Sequence, residues 1–305
     1  MVFDGKIYFN YSLDCELPPE PPFGGPKTWE FAEESVTGFI EVMNDWGLLD
    51  GASLFVYPDV ARRQSALYRQ LANEGVEIAL HLNGMRYSKM KTPAWLGSLS
   101  YEDQYEALRI AKEDLENVIG KACLGYRACY TSANDDTFPI LEALGFLWTS
   151  TTAVGTYKPE IYACWKGGWP FPHYASRKSR LIPGDLKIYE IPKTRGRSVF
   201  FENNPDRPLD LRAETNPAII GPDGEKFRMV IMENLEEMEK CNQPIRVIMS
   251  GSHNTGLFGD RNSLYYNNLR LFCQIARDCC EALSYEFIPS SFLSVACIAQ
   301  KLDVF

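Results

Sequence analysis

Short apolar runs of strand length alternate with segments whose apolar residues recur every three or four positions. The first run, Lys6-Ile-Tyr-Phe-Asn-Tyr-Ser-Leu-Asp-Cys-Glu16, reads as a buried strand closed by two carboxylates. A Pro/Gly-rich loop over 17–26 follows, too rich in proline to join a sheet ladder. Thr28 opens a helix whose Phe31, Phe39, Val42, Met43 and Trp46 share one face, and Gly47 stops it. A strand over Ala52–Tyr57, a helix over Ala61–Asn73 and a strand from Val76 to His81 come next. Ser100-Tyr-Glu-Asp103 resembles a capping box and predicts a long helix to Ile119. A strand ending near Arg127, a helix over Phe138–Leu144 and a strand over Phe146–Ser150 complete the first half.

The rhythm breaks at about 153–225, a loop-rich insertion holding only one strand-like run, Leu186–Ile191. It resumes with a helix over Phe227–Lys240, a strand from Ile245 towards His253, a helix over Ser263–Leu283 and a strand over Tyr285–Ile288. This alternation predicts an α/β fold with a parallel sheet and outer helices. About eight such units suit a (β/α) barrel, which is favoured over a doubly wound sheet, since no Gly-x-Gly-x-x-Gly follows the first strand. No linker composition divides the chain, so residues 1–305 are expected to form a single domain.

Composition narrows the picture. Hydrophobic residues at 45% and charged residues at 23% are globular values, so a sizeable core is possible. A net charge of −9 argues against nucleic acid and anionic membrane as partners. The start, Met-Val-Phe-Asp-Gly-Lys, shows no secretion signal, and no apolar run reaches the ~18–20 residues that span a bilayer. Nine cysteines without a Cys-x-x-Cys pair suggest reduced thiols in a cytoplasmic protein.

Candidate chemistry lies at the ends of the predicted strands. Asp14 and Glu16 fall on one side of their strand if it continues that far, because strand side chains repeat every two residues. Two such acids could share a proton, bind a divalent cation, or divide into base and ligand. His81, Arg127 and His253 close three further runs. Trp165, Trp169, Phe171 and Tyr174 would suit stacking on a sugar ring or a packed loop, with His173 expected at the surface or in a lid.

At these residues the chain resembles the polysaccharide deacetylases, or NodB-like carbohydrate esterases. Ser12-Leu-Asp-Cys-Glu16 resembles their first motif and Glu77-Ile-Ala-Leu-His81 their second. Gly125-Tyr-Arg-Ala128, with the helix ending Leu-Gly-Phe146, resembles the third, and Ile248-Met-Ser-Gly-Ser-His253 the last. The resemblance implies a distorted (β/α)7-8 barrel and hydrolysis of an N-acetyl group on a sugar, with an N-acylated sugar or small amide as the expected substrate. By it Asp14 is the general base, Arg127 orients Asp14, and His253 protonates the leaving amine. Glu16 and His81 then hold a divalent metal such as zinc, cobalt or nickel. One position departs: the second metal histidine falls at Met85, whose thioether is a poor ligand for such a site, although Asn83 could offer an oxygen. A metal-free cyclic-amide (allantoinase-like) hydrolase and a carbohydrate-binding pseudoenzyme stay open. A barrel glycosidase would need a second acid, such as Glu190 or Asp135, about 5–9.5 Å away.

Overall fold

The computed structural model describes residues 4–201 and 204–302. Residues 1–3, part of the start in which no secretion signal is expected, lie outside them. In chain order the elements are β1 (Lys6–Cys15), α1 (Trp29–Asp45), β2 (Ala52–Val56), α2 (Pro58–Arg63), α3 (Ser65–Asn73), β3 (Glu77–Leu82) and α4 (Tyr101–Ile119). Then come β4 (Gly125–Ala128), α5 (Thr137–Ala143), β5 (Trp148–Thr149), β6 (Tyr157–Lys158), β7 (Ala163–Cys164), β8 (His173–Tyr174) and β9 (Tyr189–Glu190). The last third holds β10 (Arg195–Phe201), β11 (Asn204–Asp210), α6 (Pro217–Ile220), α7 (Glu225–Lys240), β12 (Arg246–His253), α8 (Leu264–Ala282), β13 (Glu286–Pro289) and α9 (Phe292–Lys301).

The local signals act where their chemistry requires. The Thr28 side chain accepts the amide of Phe31, and Ser100 accepts that of Asp103, each satisfying a donor that the first helical turn leaves over. Gly120 closes α4 in the left-handed conformation that glycine adopts without a Cβ penalty. Three expectations need correction. The helix over Ala61–Asn73 starts earlier, at Pro58, and divides at Gln64, whose backbone is not helical. The stretch before residue 222 is not all loop, because β10 and β11 form an antiparallel hairpin. A final helix, α9, had no counterpart in the pattern.

The chain divides into two compact units that interleave along the sequence. The first comprises residues 1–14, 18–52 and 193–291. In it β1 is flanked by β12 and β13, both parallel to it. Phe9 packs against Phe272 of α8 and Phe287 of β13, and Tyr11 against Phe39 of α1, so helices cover this sheet with aromatic side chains. The second comprises residues 15–17, 53–192 and 292–305. Its strands β2, β3, β4, β5 and β9 run parallel in that order, and β8 adds antiparallel to β9. Gly125 is required here, because a Cβ would fall 1.9 Å from the indole of Trp148 on the neighbouring strand. Parallel strands buried on both faces explain why these runs are continuously apolar rather than alternating.

All nine cysteines are free, six of them buried. Among the described residues, no helix is long and apolar enough to cross a membrane.

Candidate active site

In the first unit, the parallel register of β1 and β12 sets Asp14 opposite His253. Asp14 is 4% exposed, and the ammonium of Lys193 approaches its carboxylate to 3.7 Å. His253 faces a second acid that lies outside every sequence motif: its Nδ1 is 2.9 Å from Oε1 of Glu214. Glu214 also accepts the Ser252 hydroxyl, and Arg212 stands 3.6 Å from it and 2.9 Å from Asp210. The main chain is fixed here as well, because the Ala213 amide donates to the hydroxyls of Tyr11 and Ser252.

Titration follows from this packing. Burial raises the pKa of the Glu214 carboxyl, but hydrogen bonding and charge from His253 overcome that and hold it at about 2. Burial lowers that of His253, yet the bond to Glu214 and its charge outweigh the loss and leave it above the usual histidine value. The pairing therefore favours the protonated form of His253, whose side chain is partly exposed. Such a group can give up a proton and recover it.

In the second unit, β3 and β4 pair so that His81 lies opposite Arg127. His81 Nδ1 is 2.9 Å from the Arg127 carbonyl. Only an N–H can satisfy a carbonyl, so in the neutral ring the Nε2 lone pair is bare. That Nε2 lies 3.4 Å from Oε1 of Glu16, and Cys129 Sγ lies 3.6 Å from the same oxygen. The three donors fall within 4.8 Å of one another, and all three residues are buried. Tyr57 donates its hydroxyl to Cys129 Sγ at 3.1 Å and packs edge-on against the His81 ring. The Arg127 side chain is 1% exposed, donates to the carbonyl and hydroxyl of Ser150, and stacks on Phe55 at 3.6 Å.

Other expected participants take structural places. The Asn83 oxygen accepts the amide of Met85, so it closes a turn. Glu190 is fully buried and accepts the amides of Thr151 and Thr152, which accounts for it without a glycosidic role. Asp135 pairs with Arg180 at 2.8 Å. His173 is buried, contrary to the surface or lid place expected of it, and burial pushes its pKa down to about 4. Trp165 is fully buried against Phe138, so of the two readings of this aromatic run the packed loop describes it.

Sequence reasoning missed Glu214, Lys193 and Cys129. The first two lie in the stretch taken for loop, and no pattern signals them. Cys129 follows the arginine motif by two residues, and its apolar surroundings suggested an inert core thiol.

Residues 30–148 match the family model described as polysaccharide deacetylase. No curated protein matches the chain by sequence. Among solved structures, one described as a putative polysaccharide deacetylase from Mycobacterium smegmatis is 18% identical with a TM-score of 0.62, covering 98% of this chain and 92% of its own. Puue allantoinase, at 14% identity and a TM-score of 0.59, shares the same coverage on both sides. A probable polysaccharide deacetylase from Pseudomonas aeruginosa PAO1, at 15% and 0.58, does so too. These likenesses give the fold, the distorted (β/α)7-8 barrel type expected from the alternation of elements. The motifs and the matched segment resemble the polysaccharide deacetylase family, and the solved structures share the fold.

Proposed function

We propose that the protein hydrolyses a non-peptide C–N bond, the amide of an N-acylated sugar or of a related small molecule. The observation that carries the proposal is the strand register that places Asp14 opposite His253, with Glu214 behind the imidazole. A carboxylate that can take a proton beside an imidazolium that can give one is what amide hydrolysis requires. Asp14 accepts a proton from the attacking water. His253 delivers one to the nitrogen as the C–N bond breaks, so the amine departs neutral. Glu214 is a positioning residue that holds His253 in the protonated state.

Glu16 and His81 would hold a divalent cation. The residues fit: the Arg127 carbonyl fixes His81 in the tautomer whose Nε2 is free to coordinate, an arrangement typical of ligating histidines. When bound, such an ion supplies Lewis-acid polarisation of the carbonyl and a more acidic water. Stacking on Phe55 and bonds to Ser150 fix the direction of the Arg127 guanidinium. Nine free cysteines suit a reducing compartment, which favours a small or intracellular substrate over a cell-wall polymer.

The test is release of acetate or ammonia from N-acetylated sugars and cyclic amides by purified protein. Asp14→Asn should abolish turnover while leaving the fold intact by circular dichroism. A fully active Asp14→Asn variant would refute the assignment.

A further inference from the structure

The histidine missing at position 85 leaves a two-residue ligand set, too few to hold a cation firmly. The second unit offers a third donor from a different strand end. Cys129 follows β4 directly, and its Sγ faces the Glu16 oxygen that also faces His81. We infer that Cys129 is the third protein ligand of the cation, replacing the absent histidine and making the site a thiolate–imidazole–carboxylate centre selective for zinc-like ions. The inference deepens the proposed hydrolytic reading, on which it rests for the purpose of the ion but not for its coordination.

The donor spacing supports it. An ion with tetrahedral bonds of about 2.0 Å to oxygen and nitrogen and about 2.3 Å to sulfur holds nitrogen and oxygen about 3.3 Å apart, and sulfur and oxygen about 3.5 Å apart. The observed separations are 3.4 Å and 3.6 Å. The third pair, His81 and Cys129, lies within 4.8 Å, and a protein ligand set of three leaves the fourth position for water or substrate.

The backbone also serves the thiol. Tyr130 and Thr131, directly after Cys129, both adopt left-handed conformations, with φ of 53° and 55°. Neither is glycine, so each costs about 1 kcal/mol or more and persists only where its surroundings enforce it. The enforcement is visible: Trp165 Nε1 donates to the Thr131 carbonyl at 2.8 Å, and Trp95 packs edge-on against Tyr130. The Tyr57 hydroxyl donates to Sγ and so helps fix the position of the sulfur. On binding, the thiol proton passes to solvent as the sulfur–metal bond forms. A sulfur ligand disfavours magnesium and calcium, which take oxygen donors.

Cobalt(II) is the probe, because thiolate ligation gives it a near-ultraviolet charge-transfer band independent of turnover. Metal-stripped full-length protein should bind one equivalent with that band. The band should vanish in both Cys129→Ser and Cys129→Asp and survive in Cys241→Ser, an exposed cysteine. Cys129→Ser should also weaken zinc binding at least about tenfold, no less than the loss of an outer partner does. Zinc-edge absorption on the unmodified protein needs no variant and should show one sulfur neighbour at about 2.3 Å. Absence of cobalt binding, binding without the band, a band that survives Cys129→Asp, or a zinc shell without sulfur would each overturn the assignment. An inactive protein that shows the sulfur band refutes the hydrolytic reading and leaves the ligand assignment standing.

Discussion

At the scale of single residues, the proposed chemistry rests on two imidazoles with different neighbours. Glu214 raises the pKa of His253, while the Arg127 carbonyl directs the His81 proton to Nδ1. Glu214→Gln removes the charge behind His253, so the pKa of the general acid falls. The basic limb of the kcat/KM profile should then move to lower pH, with KM little changed, and histidine NMR titration should show the same displacement. A purely structural Glu214 would leave the limb in place. For stability the signs run in opposite directions. His253, with its pKa raised in the folded state, contributes stability below its unfolded value that is lost as pH rises through the folded one. Glu214, depressed to about 2, contributes stability above about 4.5 that is lost as pH falls towards 2. Asp14, Glu16, His81, Arg127 and His253 were legible because each interrupts an apolar run, and a charge at a core-strand end needs a reason. Glu214 and Lys193 were not, because polar residues in an irregular stretch look alike until the fold selects among them.

At the scale of elements, carboxylates on the strands hold pieces of the second unit in place. Glu77, at the start of β3, accepts the amides of Phe292 at 2.9 Å and Leu293 at 2.7 Å, and so caps α9 from a distant strand. Glu77→Ala should cost about 3 kcal/mol in urea unfolding, because bonds to a charged group are worth about 1.5–3 kcal/mol each and partly compensate. Glu77→Gln should lose clearly less. Glu190 on β9 titrates in a useful range, since burial outweighs its amide bonds and lifts its pKa to about 7. A raised acid contributes stability in full below its unfolded value near 4.5 that is lost as pH rises through about 7. Unfolding free energy should therefore decline by a few kcal/mol between pH 5 and 8, and Glu190→Gln should flatten that slope. An unchanged slope in the variant would remove Glu190 as its cause. The parallel strands were readable from their continuous apolar runs, and α1 and α4 from their caps. The β10–β11 hairpin was not, because its exposed positions break the alternation that marks a strand, and α9 shows no polar face to give it a helical period.

For the whole molecule, the fold and the order of the motifs resemble the polysaccharide deacetylases, and the expected ligand set departs from theirs at one position. Sequence alone locates the loss at Met85, whereas only folding brings Cys129 to Glu16 and His81. A cation bound by the native state alone should raise the unfolding temperature, because saturation at 1,000 times Kd adds about 4 kcal/mol. Differential scanning fluorimetry with zinc should show this rise and lose it in His81→Gln. The most direct measurement of the central claim is acetate release from an N-acetylated sugar by one preparation as purified, after metal removal, and after return of one equivalent of zinc. Turnover should disappear on removal and recover on return. Undiminished turnover by the metal-free protein, or none at any loading, would contradict it.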